Sequence, residues 1–191
     1  MQTILRVLVL ALIALQTDPG RDALRIGRTT DQTVYDAFSA GYQLAASGPV
    51  ARAEVITEFR RAVLLVRERA EQGEYGFTER DLDRALAPYR GLVTVVAEIR
   101  LNPLNTYVTP PAFNLYIRTG PSTRPLAPDK FARTPIYAVA FGGPGSPLSG
   151  VRLEGTFSVA DVSSAAAPAV VVVNDRGDII WDARLDLSRF R

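Results

Sequence analysis

Two glutamates could supply acid–base chemistry. Glu98 and Glu154 both fall on the polar side of predicted β-strands, and each has an arginine two residues away, Arg100 and Arg152. A glycosidase needs two carboxyl groups roughly 5 to 9.5 Å apart, one of which is kept protonated by burial. A neighbouring arginine favours the ionised carboxylate instead. The pattern therefore favours structural ion pairs, and a carboxylate-dependent hydrolase acting on glycans is the alternative.

The residue types missing from the chain restrict its chemistry further. The sequence contains no histidine and no cysteine, which excludes serine–histidine–aspartate and cysteine–histidine catalysis within the chain, thiolate metal sites and disulfides. Its one lysine, Lys130, lies in a predicted proline-bounded loop, a poor place for a desolvated amine. We therefore predict no catalytic residue, no metal site and no cofactor, and favour a protein that is not an enzyme.

A tyrosine-containing segment is the best candidate for ligand binding. In "NPLNTYVTPPAFNLYIRTG", Tyr116 alternates in phase with Asn114 and Arg118, and Tyr107 precedes them on the same proline-bounded segment. These four residues are predicted to form a shallow edge of the kind that binds glycans or extended peptides. The alternative is an ordinary strand surface, because tyrosine is a good strand former.

One further motif has a structural explanation. Asn174 to Asp178 contains an Arg-Gly-Asp triplet, which resembles the cell-adhesion motif that integrins recognise. Flanked by "AVVVV" and "IIW", the segment is also what a tight hairpin requires, with Gly177 supplying a positive φ.

The formal net charge of +2 comes without a basic cluster, so nucleic-acid binding is not expected.

The N-terminal residues 1–17 resemble an export signal. An unbroken apolar run from Val7 to Leu15 follows Arg6, and this run is shorter than the ~20 residues that span a bilayer. We predict export to the periplasm or the extracellular space, with an uncleaved short membrane anchor as the alternative. An exported chain without cysteine fits a bacterial envelope.

The first half of the chain is predicted to be helical, after a polar linker at residues 18–28. A helix capped by Thr30 or Asp31 ends near Gly48, with an apolar stripe formed by Val34, Phe38, Tyr42 and Ala45. A longer helix runs from Pro49 to Gly73 because proline is favoured in a first turn. A third helix starts after Thr78, with Asp81 completing a capping box.

The predicted helix pair resembles one tetratricopeptide unit. The likeness is carried by "AGYQLAASG" followed by an alanine-rich helix and covers about 35 residues, with Thr57 where that family prefers an aromatic residue. No second copy follows. One such unit cannot bury its own apolar face, so a packed helix pair is expected rather than a peptide-binding solenoid.

The hydrophobic period changes to two from Leu92 onward. "LVTVVAEIRL" alternates as a half-buried strand does, and further strands are predicted at "FNLYI", "PIYAVAFGG", "GVRLEGTFSVADV", "PAVVVVND" and "DIIWDARLDLS". The sequence thus predicts an α+β protein, with a two- or three-helix segment at 29–91 packed on an antiparallel, sandwich-like sheet of about six strands at 92–191.

The favoured function is a non-enzymatic binding or assembly module of the bacterial envelope. The alternatives are the hydrolase acting on envelope glycans and an accessory subunit for transport or adhesion. The expected partner is an envelope protein or a glycan. Contact with a membrane is expected only through residues 1–17, if they stay attached.

Overall fold

The fold alternates helices and strands in the first half and is dominated by strands in the second. The computed structural model describes residues 18–103, 109–120, 124–138, 147–165 and 167–190. Its main elements are α1 (Pro19–Gly27), α2 (Gln32–Ala40), β1 (Val50–Ile56), α3 (Glu58–Glu71), α4 (Glu79–Leu86), β2 (Leu92–Arg100), β3 (Asn114–Arg118), β4 (Lys130–Tyr137), β5 (Leu148–Ser158), α5 (Val159–Ser163), β6 (Ala169–Val173) and β7 (Ile179–Arg184). The predicted α+β class is confirmed.

The strands form two antiparallel sheets. Sheet A has the order β1-β2-β5-β4, and sheet B has the order β3-β6-β7. A Cβ atom on Gly155 of β5 would lie 2.9 Å from Cδ2 of Leu115 of β3, so the sheets approach closely there. The six strands described after residue 91 agree in number with the predicted antiparallel, sandwich-like sheet, and β1 adds one more. Two of the predicted strands differ in their bounds, since β4 begins at Lys130 rather than Pro135 and the end of "GVRLEGTFSVADV" forms α5.

The core lies between the sheets and continues under the helices. Along β2 the predicted apolar side is fully buried, and the facing side chains of sheet B belong to the same cluster (Val93, Val95, Ala97, Ile99, Leu115, Ile117, Val170, Val172 and Trp181). Helices α1, α3 and α4 contribute Ala23, Phe59, Ala62, Val63, Val66, Leu82 and Leu86 to that cluster. The helices therefore extend the core of the sheets.

The predicted helix from Pro49 to Gly73 is wrong in its first third. Residues Val50–Ile56 form β1 instead, and only Glu58–Glu71 are helical. Gly48 has a φ of 58°, and the Pro49 carbonyl accepts a 2.8 Å hydrogen bond from the Arg100 amide of β2. Pairing with β2 thus overrides the local preference of proline for a first helical turn. Because β1 pairs with β2, strand pairing crosses the predicted boundary at residue 91.

The predicted linker at 18–28 is also wrong, since it forms α1. The Asp18 side chain accepts a 2.9 Å hydrogen bond from the Gly20 amide, and Pro19 occupies the first turn. This is an N-cap followed by a first-turn proline, a signal for a helix start. The end of α1 packs closely on α3 because Gly27 has no side chain.

Helix α2 begins after Asp31, as predicted, but ends at Ala40. The predicted stripe is broken, because Val34 is exposed and Tyr42 lies beyond the helix. Gln43 forms a β-bridge with Glu54 of β1, so "AGYQLAASG" is a turn and an edge segment. No hairpin of the tetratricopeptide kind is formed.

Two other local predictions concern the cap of α4 and the loop around Lys130. Thr78 and Asp81 form the predicted capping box of α4. Lys130 is the first residue of β4 and is exposed, so the predicted loop before Pro135 is shorter than expected.

The predicted export segment, residues 1–17, lies outside the described residues. Among the residues that are described, no helix is long and apolar enough to cross a membrane.

Candidate functional site

A groove of about 610 Å³ lies between helices α2 and α3 and the outer face of sheet A, the face turned away from sheet B. Its floor follows the strand register, since Arg52 of β1 lies opposite Glu98 of β2, and Glu98 lies opposite Arg152 of β5. Nη1 of Arg152 is 3.4 Å from Oε1 of Glu98. Charges of alternating sign thus cross three strands, an arrangement that stabilises neighbouring strands.

Arg60, in the first turn of α3, forms part of the wall of the groove. The Thr57 side chain caps this helix by accepting a 3.3 Å hydrogen bond from the Arg60 amide. Nε of Arg60 donates a 2.7 Å hydrogen bond to Oε1 of Glu54 on β1. The other oxygen of Glu54 accepts a 3.0 Å hydrogen bond from Nη2 of Arg52. One carboxylate therefore serves two guanidinium groups.

Aromatic rings surround the Arg60 guanidinium. Its Cζ atom lies 5.6 Å from the ring centroid of Tyr35, 5.4 Å from that of Phe38 and 5.7 Å from that of Tyr42. Each ring lies within the range in which its face attracts a cation. Arg60 is only 2% exposed, so these rings and Glu54 replace much of its contact with water.

Two polar atoms at the groove have no hydrogen-bond partner among the described residues. They are Nη1 of Arg60 and Oγ of Ser39, which lies on α2 and is 8% exposed. Both residues line the groove, but these two atoms are themselves buried, with less than 1 Å² of accessible surface each. Leaving a buried donor unsatisfied costs roughly 1–3 kcal/mol, and more for a charged group. Such groups in a folded protein call for an explanation.

The sequence-predicted binding edge lies elsewhere. Asn114, Tyr116 and Arg118 share one side of β3 in sheet B, and none of them lines the groove. Nη2 of Arg133 contacts the Asn114 side chain at 3.1 Å, and Nη2 of Arg118 lies 3.0 Å from Oδ2 of Asp182. Tyr107 lies outside the described residues. This edge stays a prediction.

Of the two glutamates considered for acid–base chemistry, which share one face of sheet A, only Glu98 lines the groove. Glu98 lines the groove but is ion-paired with Arg152, while Glu154 lies opposite Val96 and is not part of the lining. Arg100 is exposed at the end of β2. Within the described ranges, no group of three or more acidic side chains is placed to hold a metal ion.

The Arg-Gly-Asp triplet forms the predicted turn. Oδ1 of Asn174 accepts 2.9 Å hydrogen bonds from the amides of Arg176 and Asp178, and Gly177 has a φ of 86°. These contacts close the hairpin between β6 and β7. The triplet thus has a complete structural role.

Sequence reasoning missed the residues that define the groove. Arg52, Glu54 and Arg60 all fall within the predicted helix from Pro49 to Gly73, and Ser39 falls within the predicted helix before it. The missed local signal was Thr57 as an N-cap directly after the β-branched pair Val55 and Ile56.

Comparisons with protein-family models, curated proteins and solved structures gave no match to this chain. The geometry of the groove is therefore the basis of the functional proposal.

Proposed function

We propose that the protein is a non-enzymatic binding module of the bacterial envelope and that it holds its ligand in the groove between α2, α3 and sheet A. The observation that carries this proposal is the groove itself, whose lining combines charged side chains with the apolar side chains of Ile56, Leu64 and Val96. The groove volume also falls in the usual range for small-molecule sites.

The envelope part of this proposal is supported by the sequence. The apolar run from Val7 to Leu15 has the length of a secretory signal core, and the absence of cysteine fits an envelope protein. Expressing the full chain in a bacterium and following residues 1–17 by mass spectrometry of the cell fractions tests export. Recovery of the protein only in the cytoplasm would contradict it.

A hydrolytic role is less well supported. Of the two candidate glutamates for this alternative, Glu98 lines the groove but is ion-paired with Arg152, and Glu154 does not line the groove. Glycan hydrolysis by two carboxylates needs both groups at the same substrate. Release of new reducing ends from cell-wall glycans by the purified protein would reverse this conclusion.

Binding is tested by thermal shift of the full chain with cell-wall glycans and peptides. Two variants compare the two surfaces: Arg152→Gln changes the groove floor, and Tyr116→Ala changes the edge on β3. We expect a shift that Arg152→Gln abolishes and Tyr116→Ala preserves. The opposite result would move the site to the edge predicted from the sequence. No shift with any ligand would contradict the binding proposal.

A further inference from the structure

We infer that the apolar run from Val7 to Leu15, when it is attached to the folded chain, docks in a second groove between helices α1, α3 and α4. This second groove has a volume of about 380 Å³ and is called the helical groove below. The inference goes beyond the proposed binding function, because it concerns a different surface and a segment of the same chain.

Apolar side chains from all three helices line the helical groove. They are Pro19 of α1, Phe59 and Ala62 of α3, and Leu82 and Leu86 of α4. An apolar cavity of ~150 Å³ can hold a benzene molecule, so the helical groove has room for about two leucine-sized side chains. Apolar side chains that enter such a space leave water, which is favourable.

The described part of the chain begins beside the helical groove. Asp18 is the N-cap of α1, and the next two residues, Pro19 and Gly20, line the groove. A Cβ atom on Gly20 would lie 3.6 Å from Cγ of Glu79, so the start of α1 lies against the start of α4. Since a chain advances at most ~3.6 Å per residue, Leu15 lies within about 11 Å of Asp18. The apolar run therefore ends within reach of the helical groove.

The charges of the groove and of the segment are complementary. Three exposed carboxylates line the helical groove, those of Glu58, Glu79 and Asp83. None of the described residues in this lining is basic, although Arg21 and Arg90 contact Glu79 and Asp83 from outside it. Residues 1–17 contain Arg6 and no acidic residue. An apolar segment with a positive charge thus matches the helical groove in both respects.

Docking in the helical groove excludes insertion in a membrane, because the same apolar side chains cannot lie in both places. The folded chain would shield its own apolar run from lipid and from other proteins. Removal of residues 1–17 would leave the helical groove open.

Cross-linking tests the position of the run, since the chain contains no cysteine of its own. Leu12→Cys is combined with Asp83→Cys in the lining of the helical groove. The matched control combines Leu12→Cys with Asp175→Cys, an exposed position in the β6–β7 turn. Both full chains, with residues 1–17 confirmed by mass spectrometry, are treated with a short bismaleimide. We expect at least about 10-fold more intramolecular cross-link in the first protein, because docking raises the effective concentration of the two thiols.

Thermal unfolding of the full chain gives a second measurement. Leu12→Asp/Leu15→Asp should lower the melting temperature by about 4 °C or more, because the leucine side chains would lose their burial in the helical groove. The control Gln2→Asp/Thr3→Asp adds the same charges to the same segment outside the apolar run. It should change the melting temperature by less than about 2 °C.

Equal cross-linking of the two cysteine pairs would overturn the inference, and so would a melting temperature that the leucine changes leave unaltered. Two further results would overturn it by naming another contact for the run. Cross-linked dimers in place of monomers would indicate a second copy of the chain, and flotation of the full chain with phosphatidylcholine vesicles would indicate a membrane. These measurements use no ligand of the groove between α2 and α3, so their failure leaves the proposed binding function standing.

Discussion

Nε of Arg60 lies 2.7 Å from Oε1 of Glu54, and the two side chains are 2% and 10% exposed. The pair joins the first turn of α3 to β1, the strand that pairs with β2. Two charges removed from water to this degree are stable only together, because each alone would carry a large desolvation penalty. The wall of the groove and its packing on sheet A therefore depend on the same contact.

Breaking this pair from one side should be more harmful than removing both partners. Glu54→Gln leaves the Arg60 charge buried without its carboxylate and should lower the free energy of unfolding by about 3–5 kcal/mol. The double variant Glu54→Gln/Arg60→Met should lose less than Glu54→Gln alone, and less than the sum of the two single variants. Urea unfolding at neutral pH measures all four proteins. Additive losses would show that the two side chains are not coupled.

Helix α1 should tolerate no side chain at Gly27. A Cβ atom there would lie 2.6 Å from Cβ of Val66 and 2.8 Å from the carbonyl oxygen of Val63 on α3. Gly27→Ala should destabilise the protein by about 1–3 kcal/mol, because neither atom is the free end of a flexible side chain. Gly76→Ala is the matched control, since a Cβ there meets nothing within 4 Å. Equal effects of the two changes in thermal unfolding would contradict the close approach.

Trp181 should report on the contact between sheet B and the segment that precedes β1. It is 3% exposed, and its Nε1 donates a 3.1 Å hydrogen bond to the Ala45 carbonyl. Trp181→Phe keeps an aromatic ring but loses this bond, so we expect the free energy of unfolding to fall by about 1–3 kcal/mol. Unfolding monitored by circular dichroism measures this change. Tyr75→Ala, at a residue 69% exposed, should change stability by less than about 0.5 kcal/mol. If Trp181→Phe lowered the free energy of unfolding by no more than Tyr75→Ala does, the burial of Trp181 in the core would be contradicted.

Acid should weaken the cap of α4. The Thr78 hydroxyl, at 2.6 Å, and then the Thr78 amide, at 3.1 Å, hold the pKa of Asp81 below its ordinary value of 3.8. A carboxyl whose pKa is lower in the folded chain stabilises the fold above the unfolded pKa and loses that effect as the pH falls through the folded pKa. The melting temperature of Asp81→Asn should therefore be lower than that of the unchanged protein near pH 6, and the gap should close below about pH 3.8.

The control for this acid titration is Asp175→Asn, an exposed carboxylate in the β6–β7 turn. Its difference in melting temperature from the unchanged protein should stay small across the same range. If the difference in melting temperature between Asp81→Asn and the unchanged protein did not depend on pH, the proposed role of the Asp81 carboxylate in the cap would be contradicted. Ser188 lowers the pKa of Asp186 in the same way, first through its hydroxyl and then through its amide, so an Asp186→Asn variant should show the same sign.

Elements with a strong local signal could be predicted from the sequence. The period of two along β2 correctly places Val93, Val95, Ala97 and Ile99 on the side packed against sheet B, but the strand is not half-buried as predicted, because Thr94 and Val96 on its other side are buried too. The capping box of α4 forms from residues three apart. The turn at Asn174 likewise needs only its own side chain and the positive φ of Gly177. In each case the stabilising contact joins residues that are close in sequence, or it follows from the alternation of apolar and polar residues along a strand.

The stretch from Pro49 to Ile56 could not be assigned in this way. Its local pattern suits a helix start, and only the hydrogen bonds to β2 make it a strand. Glu54 and Arg60 are six residues apart, a spacing at which two residues of one helix do not face each other. The change from strand to helix at Thr57 brings them to 2.7 Å.

The amino-acid sequence by itself determined the chemistry that this protein lacks, the alternation of its later strands and the caps of its helices, because these depend on residue type and on neighbours along the chain. Tertiary structure alone decided the groove. Ser39, Glu54, Arg60 and Arg152 come from four separate elements, and only the pairing of β1, β2 and β5 under α2 and α3 places them around one space. The physical reason is that burial and charge pairing act between atoms close in space, whatever their separation in sequence.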